Sequence, residues 1–215
     1  LTAGPDLYGR VAGTRSLSIA GQLARRVISV LARIDVCGVD RIPPSGAVVL
    51  AANHTAFMDG IVLFALSPRP VTCLVKREAF VPVVASVLRW AGQVPIDRPR
   101  VDPGPVKLSV ALLRAGGVLG VFPEGARGDG SVRVAKPGVG YFALRSGATV
   151  IPVAVHGSRS LLHRTSWHRP RLRVVFGPPI FTERAPDDAV LAKARFHAEA
   201  ERIRAELADL VAATG

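Results

Sequence analysis

An α/β fold, with a mostly parallel central sheet flanked by helices and preceded by an N-terminal amphipathic helical segment, is what this sequence predicts, on three observations. Short apolar runs alternate with helical patterns along most of the chain. The unusual residues collect in loops after the apolar runs, where open α/β sheets carry their ligands. No repeat, low-complexity tract or Pro/Gly/Ser linker divides the 215 residues, a length that buries one full core.

The first element is helical. At ~100° per residue, Leu17, Ile19, Leu23, Val27, Ile28, Val30, Leu31 and Ile34 fall on one half of a helix, with Ser18, Gln22, Arg25, Arg26, Ser29 and Arg33 on the other. Such a helix either covers the sheet of its own domain or lies in a membrane interface, and its apolar half has room for both. Residues 1–36 are taken as this amphipathic, membrane-interfacial segment and residues 37–215 as the α/β domain.

The strands are expected at Ala47–Ala52, Val71–Val75, Val94–Ile96, Val118–Phe122, Thr149–Val155 and Leu172–Phe176. Helices are expected from Asp59 to Ser67, Phe80 to Trp90, Val106 to Arg114, Val139 to Ser146 and Ala189 to Ala212. Between the first strand and its helix lies NHTAFMD, Asn53–Asp59. Five residues turn a helix by about 140°, so His54 and Asp59 can meet only if a helix begins between them. An imidazole on that turn sits near the positive end of the helix dipole, which favours its neutral form. Asp59 can then take the Nδ1 proton and leave Nε2 free, the arrangement of a general base. The competing reading is a capping histidine beside a carboxylate that balances the dipole.

Composition narrows the partner. The chain is 49% hydrophobic, yet 28 Lys and Arg against 16 Asp and Glu leave a net charge of +12, and its mean hydropathy is +0.32. Apolar and basic together suggest an anionic membrane surface. From Gly130 to Thr182 there is no acidic residue, while Arg133, Lys136, Arg145, Arg159, Arg164, Arg169, Arg171 and Arg173 fall within that stretch. A nucleic-acid binder would interleave stacking aromatics with these charges, and few are present. No run of ~18 apolar residues and no signal-peptide core occur, so the chain as written is expected neither to span a bilayer nor to be exported. Cys37 and Cys73 have no CxxC spacing and suit free thiols in a reducing compartment.

Several motifs fail. Gly138–Ala143 matches G-x-G-x-x-A without a strong preceding strand or the acidic residue about 20 positions on. There is no phosphate loop, and His156–Leu161 lacks the second glycine of a nucleophile elbow. His156, His163, His168 and His197 complete no ligand set with the cysteines, so no metal is expected.

Four blocks agree: NHTAFMD, GQVPIDR, FPEGAR and VIPVAVHG, in this order. By them the chain, over roughly residues 30 to 180, resembles the glycerolipid acyltransferases, and within these the 1-acylglycerol-3-phosphate acyltransferases of bacterial type. His54 and Asp59 match the family's His-x4-Asp, Gly92 and Arg98 its second block, Phe122, Pro123, Glu124, Gly125 and Arg127 its third, and Ile151 and Pro152 its fourth. Ala126 and Gly128 stand where Thr and Ser are usual, and Pro95 where a bulky apolar residue is common. The resemblance implies transfer of a fatty acyl group from acyl-CoA or acyl carrier protein to the hydroxyl of a lysophospholipid acceptor, giving phosphatidate, with no cofactor besides the acyl thioester. It implies His54 and Asp59 as catalytic residues. Lys76, Arg98, Arg127 and Lys136 would hold the acceptor phosphate, with Glu124 and Gly125 shaping the site and Glu124 orienting a hydroxyl or an arginine. It also implies a peripheral or monotopic enzyme on the cytoplasmic face of the membrane. Glycerol 3-phosphate, another lysophospholipid and a glycolipid remain rival acceptors, and a non-catalytic module binding anionic lipid or nucleic acid remains the rival class.

Overall fold

The computed structural model describes residues 14–97, 103–161, 169–186 and 193–215. Seven strands form one sheet: β1 (Arg33–Cys37), β2 (Val48–Ala52), β3 (Val71–Lys76), β4 (Val94–Ile96), β5 (Val118–Val121), β6 (Thr149–His156) and β7 (Arg171–Phe176), in the order β1-β7-β6-β2-β5-β3-β4. From β4 to β6 the strands are parallel; β7 runs against β6 and carries β1 parallel to itself. The helices are α1 (Thr14–Leu31), α2 (Met58–Leu66), α3 (Pro82–Trp90), α4 (Pro103–Arg114), α5 (Gly138–Ser146) and α6 (Lys193–Thr214).

The central strand explains the layering. VVLAA of β2 is buried at every position, as a strand covered on both faces must be. Successive side chains point to opposite faces. Val48, Leu50 and Ala52 therefore join Ile28 of α1 and Val62, Leu63 and Leu66 of α2 in one core. Val49 and Ala51 join Leu113 of α4, Phe142 of α5 and Ile203 of α6 in the other. Each fully buried Leu or Ile contributes about 1.5–3 kcal/mol, so the two faces together hold β2 at the middle of the sheet.

The largest difference from the sequence reading lies at the first helix and the strand that follows it. The first helix ends at Leu31 instead of Ile34, and Arg33–Cys37 is strand β1. Ile34 and Val36 lie opposite Leu172 and Val174 of β7, while Asp35 reaches Arg171 at 2.9 Å. Strand and helix thus share the stretch assigned to the N-terminal segment. The apolar half of α1 is also split. Leu17, Ala20 and Ile28 are buried, whereas Ile19, Leu23, Val27 and Val30 are exposed, Val30 at 71%. Helix α3 is more open still: Ala85 is its one buried residue, with Val83, Val84, Val87 and Trp90 exposed. Among the described residues no helix is long and apolar enough to cross a membrane. The expected helix from Ala189 begins outside the described residues and is seen from Lys193.

Candidate active site

The parallel strands deliver their carboxyl ends to one edge of the sheet. Asn53 and His54 follow β2, Phe122 and Glu124 follow β5, Lys76 closes β3, and His156 closes β6. Asn53 extends the β2–β6 ladder with its side chain: Oδ1 accepts the Val155 N–H at 2.7 Å and Nδ2 donates to the Val155 carbonyl at 3.2 Å. That anchor fixes where the chain leaves the sheet.

Helix α2 starts at Met58, so the chain between His54 and Asp59 is a turn and the two side chains converge. His54 Nδ1 lies 3.1 Å from Asp59 Oδ2. The same oxygen accepts the backbone N–H groups of Thr55 at 2.6 Å and Ala56 at 2.7 Å. Asp59 is 0% exposed and His54 9%. An oxygen already accepting from two peptides acts as an acceptor toward the ring too, which puts the ring proton on Nδ1 and the free lone pair on Nε2. Asp59 Oδ1 is buried without a hydrogen-bond partner among the described residues.

The third block wraps the histidine. Phe122 stacks on the imidazole with ring centroids 4.2 Å apart and planes at 24°. Glu124 Oε1 accepts the backbone N–H of His54 at 2.9 Å. Burial raises the Glu124 carboxyl above its ordinary value, opposed by that His54 N–H. On the other side of the same residue, the Gly128 N–H donates to the His54 carbonyl at 2.9 Å. Both peptide groups of His54 are therefore held by one loop.

Two glycines make that loop fit. Gly125 has φ +68°, and a Cβ there would stand 2.7 Å from the aliphatic chain of Lys136, which lies across it. Gly130 has φ +88°, and a Cβ there would meet Thr55 Cγ2 at 2.5 Å. Both need the left-handed region that glycine enters freely.

Of the residues expected from the sequence, His54, Asp59, Glu124, Gly125 and Lys136 come together through these contacts. Arg127 is exposed on the same loop, and Lys76 is exposed at the carboxyl end of β3, 4.0 Å from Glu78. Arg98 lies outside the described residues, as do His163 and His168. Glu124 turns its Oε1 to the His54 backbone, a contact the sequence did not reveal. The reading of the sequence missed Asn53, Thr55, Gly128, Ser158 and Arg159, which brace the turn. Arg159 donates through Nε to the Thr55 carbonyl at 3.0 Å and through Nη2 to the Gly128 carbonyl at 2.6 Å. Ser158 Oγ and Thr55 Oγ1 are 3.2 Å apart. The signal in sequence was the Ser-Arg pair directly after VHG. Beside this brace opens a cavity of about 410 Å³, lined by Asn53, Thr55, Asp129, Ser131, His156 and Arg159 among others.

An imidazole whose Nδ1 is held by a buried carboxylate, on a turn at the carboxyl edge of a parallel sheet, can take a proton from a hydroxyl through Nε2. Comparison with known proteins gives the family to which the chain is similar. Residues 33–156 match the family model described as Acyltransferase. The 1-acyl-sn-glycerol-3-phosphate acyltransferase of Bacillus subtilis (strain 168) is 25% identical over 156 residues, which cover 72% of this chain and 77% of that protein. The 1-acyl-sn-glycerol-3-phosphate acyltransferase alpha of Mus musculus is 31% identical over 167 residues, 73% of this chain and 58% of that protein. Against the Borreliella burgdorferi (strain ATCC 35210 / DSM 4680 / CIP 102532 / B31) acyltransferase of the same name, the chain spans about half the length, 53%. Among solved structures, the 1-acyl-sn-glycerophosphate acyltransferase PlsC from Thermotoga maritima superposes with a TM-score of 0.66 at 20% identity, covering 95% of this chain and 87% of that one, a likeness of fold.

Proposed function

The chain belongs to the Acyltransferase family, and from that premise we propose that it transfers a fatty acyl group from an acyl thioester to the free hydroxyl of 1-acylglycerol 3-phosphate, producing phosphatidate. The observation that carries the reading is the 3.1 Å contact from His54 Nδ1 to the fully buried Asp59. His54 Nε2 removes the hydroxyl proton as the oxygen attacks the thioester carbonyl, and Asp59 stabilises the imidazolium that forms. The tetrahedral intermediate collapses, the C–S bond breaks, and the thiolate leaves with the proton that His54 returns. The acyl group goes straight to the acceptor without an acyl-enzyme.

Arg127 and Lys136, with Lys76 and Arg98, would bind the acceptor phosphate through charge-assisted hydrogen bonds. Acyl-CoA and acylated carrier protein both present a thioester, and one or the other is the donor. The enzyme would work as a peripheral or monotopic protein on the cytoplasmic face of an anionic membrane, where the acceptor resides.

The test is thiol release measured with acyl-CoA or acyl carrier protein and a panel of acceptors: 1-acylglycerol 3-phosphate, glycerol 3-phosphate, another lysophospholipid and a glycolipid. Highest kcat/KM is expected for 1-acylglycerol 3-phosphate; preference for another member of the panel overturns the acceptor assignment. Arg127→Ala should cost ~1.5–3 kcal/mol of transition-state stabilisation with a phosphate-bearing acceptor. Equal loss with a phosphate-free acceptor would show that Arg127 does not read the phosphate.

A further inference from the structure

We infer that Arg159 is a positioning residue for the reaction, a strap that holds the His54 turn against the third-block loop. The inference rests on His54 being the base. It grows from a closed circuit of hydrogen bonds. The His54 carbonyl accepts from Gly128 N–H at 2.9 Å. The Gly128 carbonyl accepts from Arg159 Nη2 at 2.6 Å, and Arg159 Nε donates at 3.0 Å to the carbonyl of Thr55, the residue next to the base. Thr55 is tied a second time, through its hydroxyl, to Ser158, which is 0% exposed and opens the same single-turn 3-10 helix.

A guanidinium suits this place because its donors lie in one rigid plane and bridge two carbonyls that belong to segments far apart in the chain. One carbonyl belongs to the residue after His54 and the other to Gly128, whose N–H holds the His54 carbonyl, so the strap sets the angle at which the ring leaves the turn. Asp59 alone cannot do this: it holds Nδ1 and the peptides of Thr55 and Ala56, all on the helix side of the turn. On the sheet side, Glu124 holds the His54 N–H and Gly128 its carbonyl, and Arg159 is what connects that loop back to Thr55. Small displacements of a catalytic group cost rate more than affinity, up to about 100-fold for ~1 Å.

Arg159 is itself exposed, so replacing it leaves the core intact. The experiment measures kcat and both KM values for Arg159→Ala, Arg159→Lys and His54→Ala, with the melting temperature of each. The expected result for Arg159→Ala is a kcat about 10-fold lower, with KM for donor and acceptor within ~2-fold of the parent and an unchanged melting temperature. Arg159→Lys, with one point-like donor in place of the fork, should recover part of that kcat. A raised KM for a phosphate-bearing substrate at unchanged kcat would overturn the strap in favour of anion binding. An inactive His54→Ala beside a fully active Arg159→Ala would overturn the strap alone. A fully active His54→Ala would overturn it together with the reading of the base.

Discussion

His54 is constrained at three points, and each constraint has a different consequence. Asp59 fixes the tautomer, Glu124 and Gly128 fix the peptide, and Phe122 fixes the ring plane. Removing the ring should therefore lower kcat by ~10²–10⁴ with little change in acceptor KM, as measured by steady-state thiol release from purified His54→Ala. Asp59→Asn tests the carboxylate charge separately. An amide that keeps its oxygen on the Thr55 and Ala56 peptides keeps it on Nδ1 as well, but it lacks the negative charge that stabilises the imidazolium and leaves its NH₂ buried at the Oδ1 position, where no acceptor stands among the described residues. Its kcat should fall well below the parent's in the same assay; a near-normal rate would mean that Asp59 only caps α2. The spacing His-x4-Asp made this pair legible in sequence, because a strand, a turn and a helix start were all visible around it. Glu124 was legible as a site residue but not in its contact. A side chain reaching a backbone N–H 70 positions away leaves no period to read.

Sequence patterns located the strands well where both faces are covered, since a continuous apolar run such as VVLAA then reports burial directly. Strand β1 escaped because it lies at the edge, alternates RIDVC over only 5 residues, and adjoins a helix whose apolar spacing runs on through Ile34. Helix α1 was legible as a helix with room for both roles, but its division was not: two adjacent stripes, one buried and one exposed, merge into a single apolar half when only angles are available. The distinction is testable. Ile28→Asp places a carboxylate at a position 1% exposed and should unfold the protein, whereas Leu23→Asp, at 55%, should shift stability by no more than ~0.5 kcal/mol in a denaturant titration. The end of β6 carries a pH dependence of its own. Burial, with help from the nearby Arg173 charge, lowers the pKa of His156 from its ordinary 6.5. Below that ordinary value the unfolded chain takes up a proton that the folded ring resists, so stability present above about pH 6.5 is lost as pH falls toward the lower folded value. Melting curves from about pH 7 to about pH 5 should be less steep in pH for His156→Asn than for the parent; identical slopes would show that His156 does not contribute.

The molecule as a whole sets the sheet edge that carries His54 beside an apolar surface. The exposed stripe of α1 and the exposed Val83, Val84, Val87 and Trp90 of α3 belong to helices that touch, and Phe57 and Ile61 at the start of α2 carry apolar exposure to within a few residues of His54. So much exposed apolar surface on a chain of +12 charge is costly in water and favourable at an anionic lipid interface, the location proposed for it above. Two contributions follow and can be separated. Apolar burial acts on any bilayer, so Leu23→Ser, Val27→Ser, Val83→Ser and Val87→Ser combined should reduce co-sedimentation with neutral and anionic vesicles alike. Arg25 and Arg26, exposed on α1, contribute about 1 kcal/mol each only near an anionic leaflet. Arg25→Gln with Arg26→Gln should therefore weaken binding to anionic vesicles, make the remainder less sensitive to salt, and leave neutral vesicles nearly unaffected. Both sets of substitutions lie on exposed positions, so turnover of a short-chain, water-soluble acceptor should persist while turnover of vesicle-borne acceptor falls. Undiminished sedimentation of the fourfold Ser variant would show that this surface does not meet the membrane.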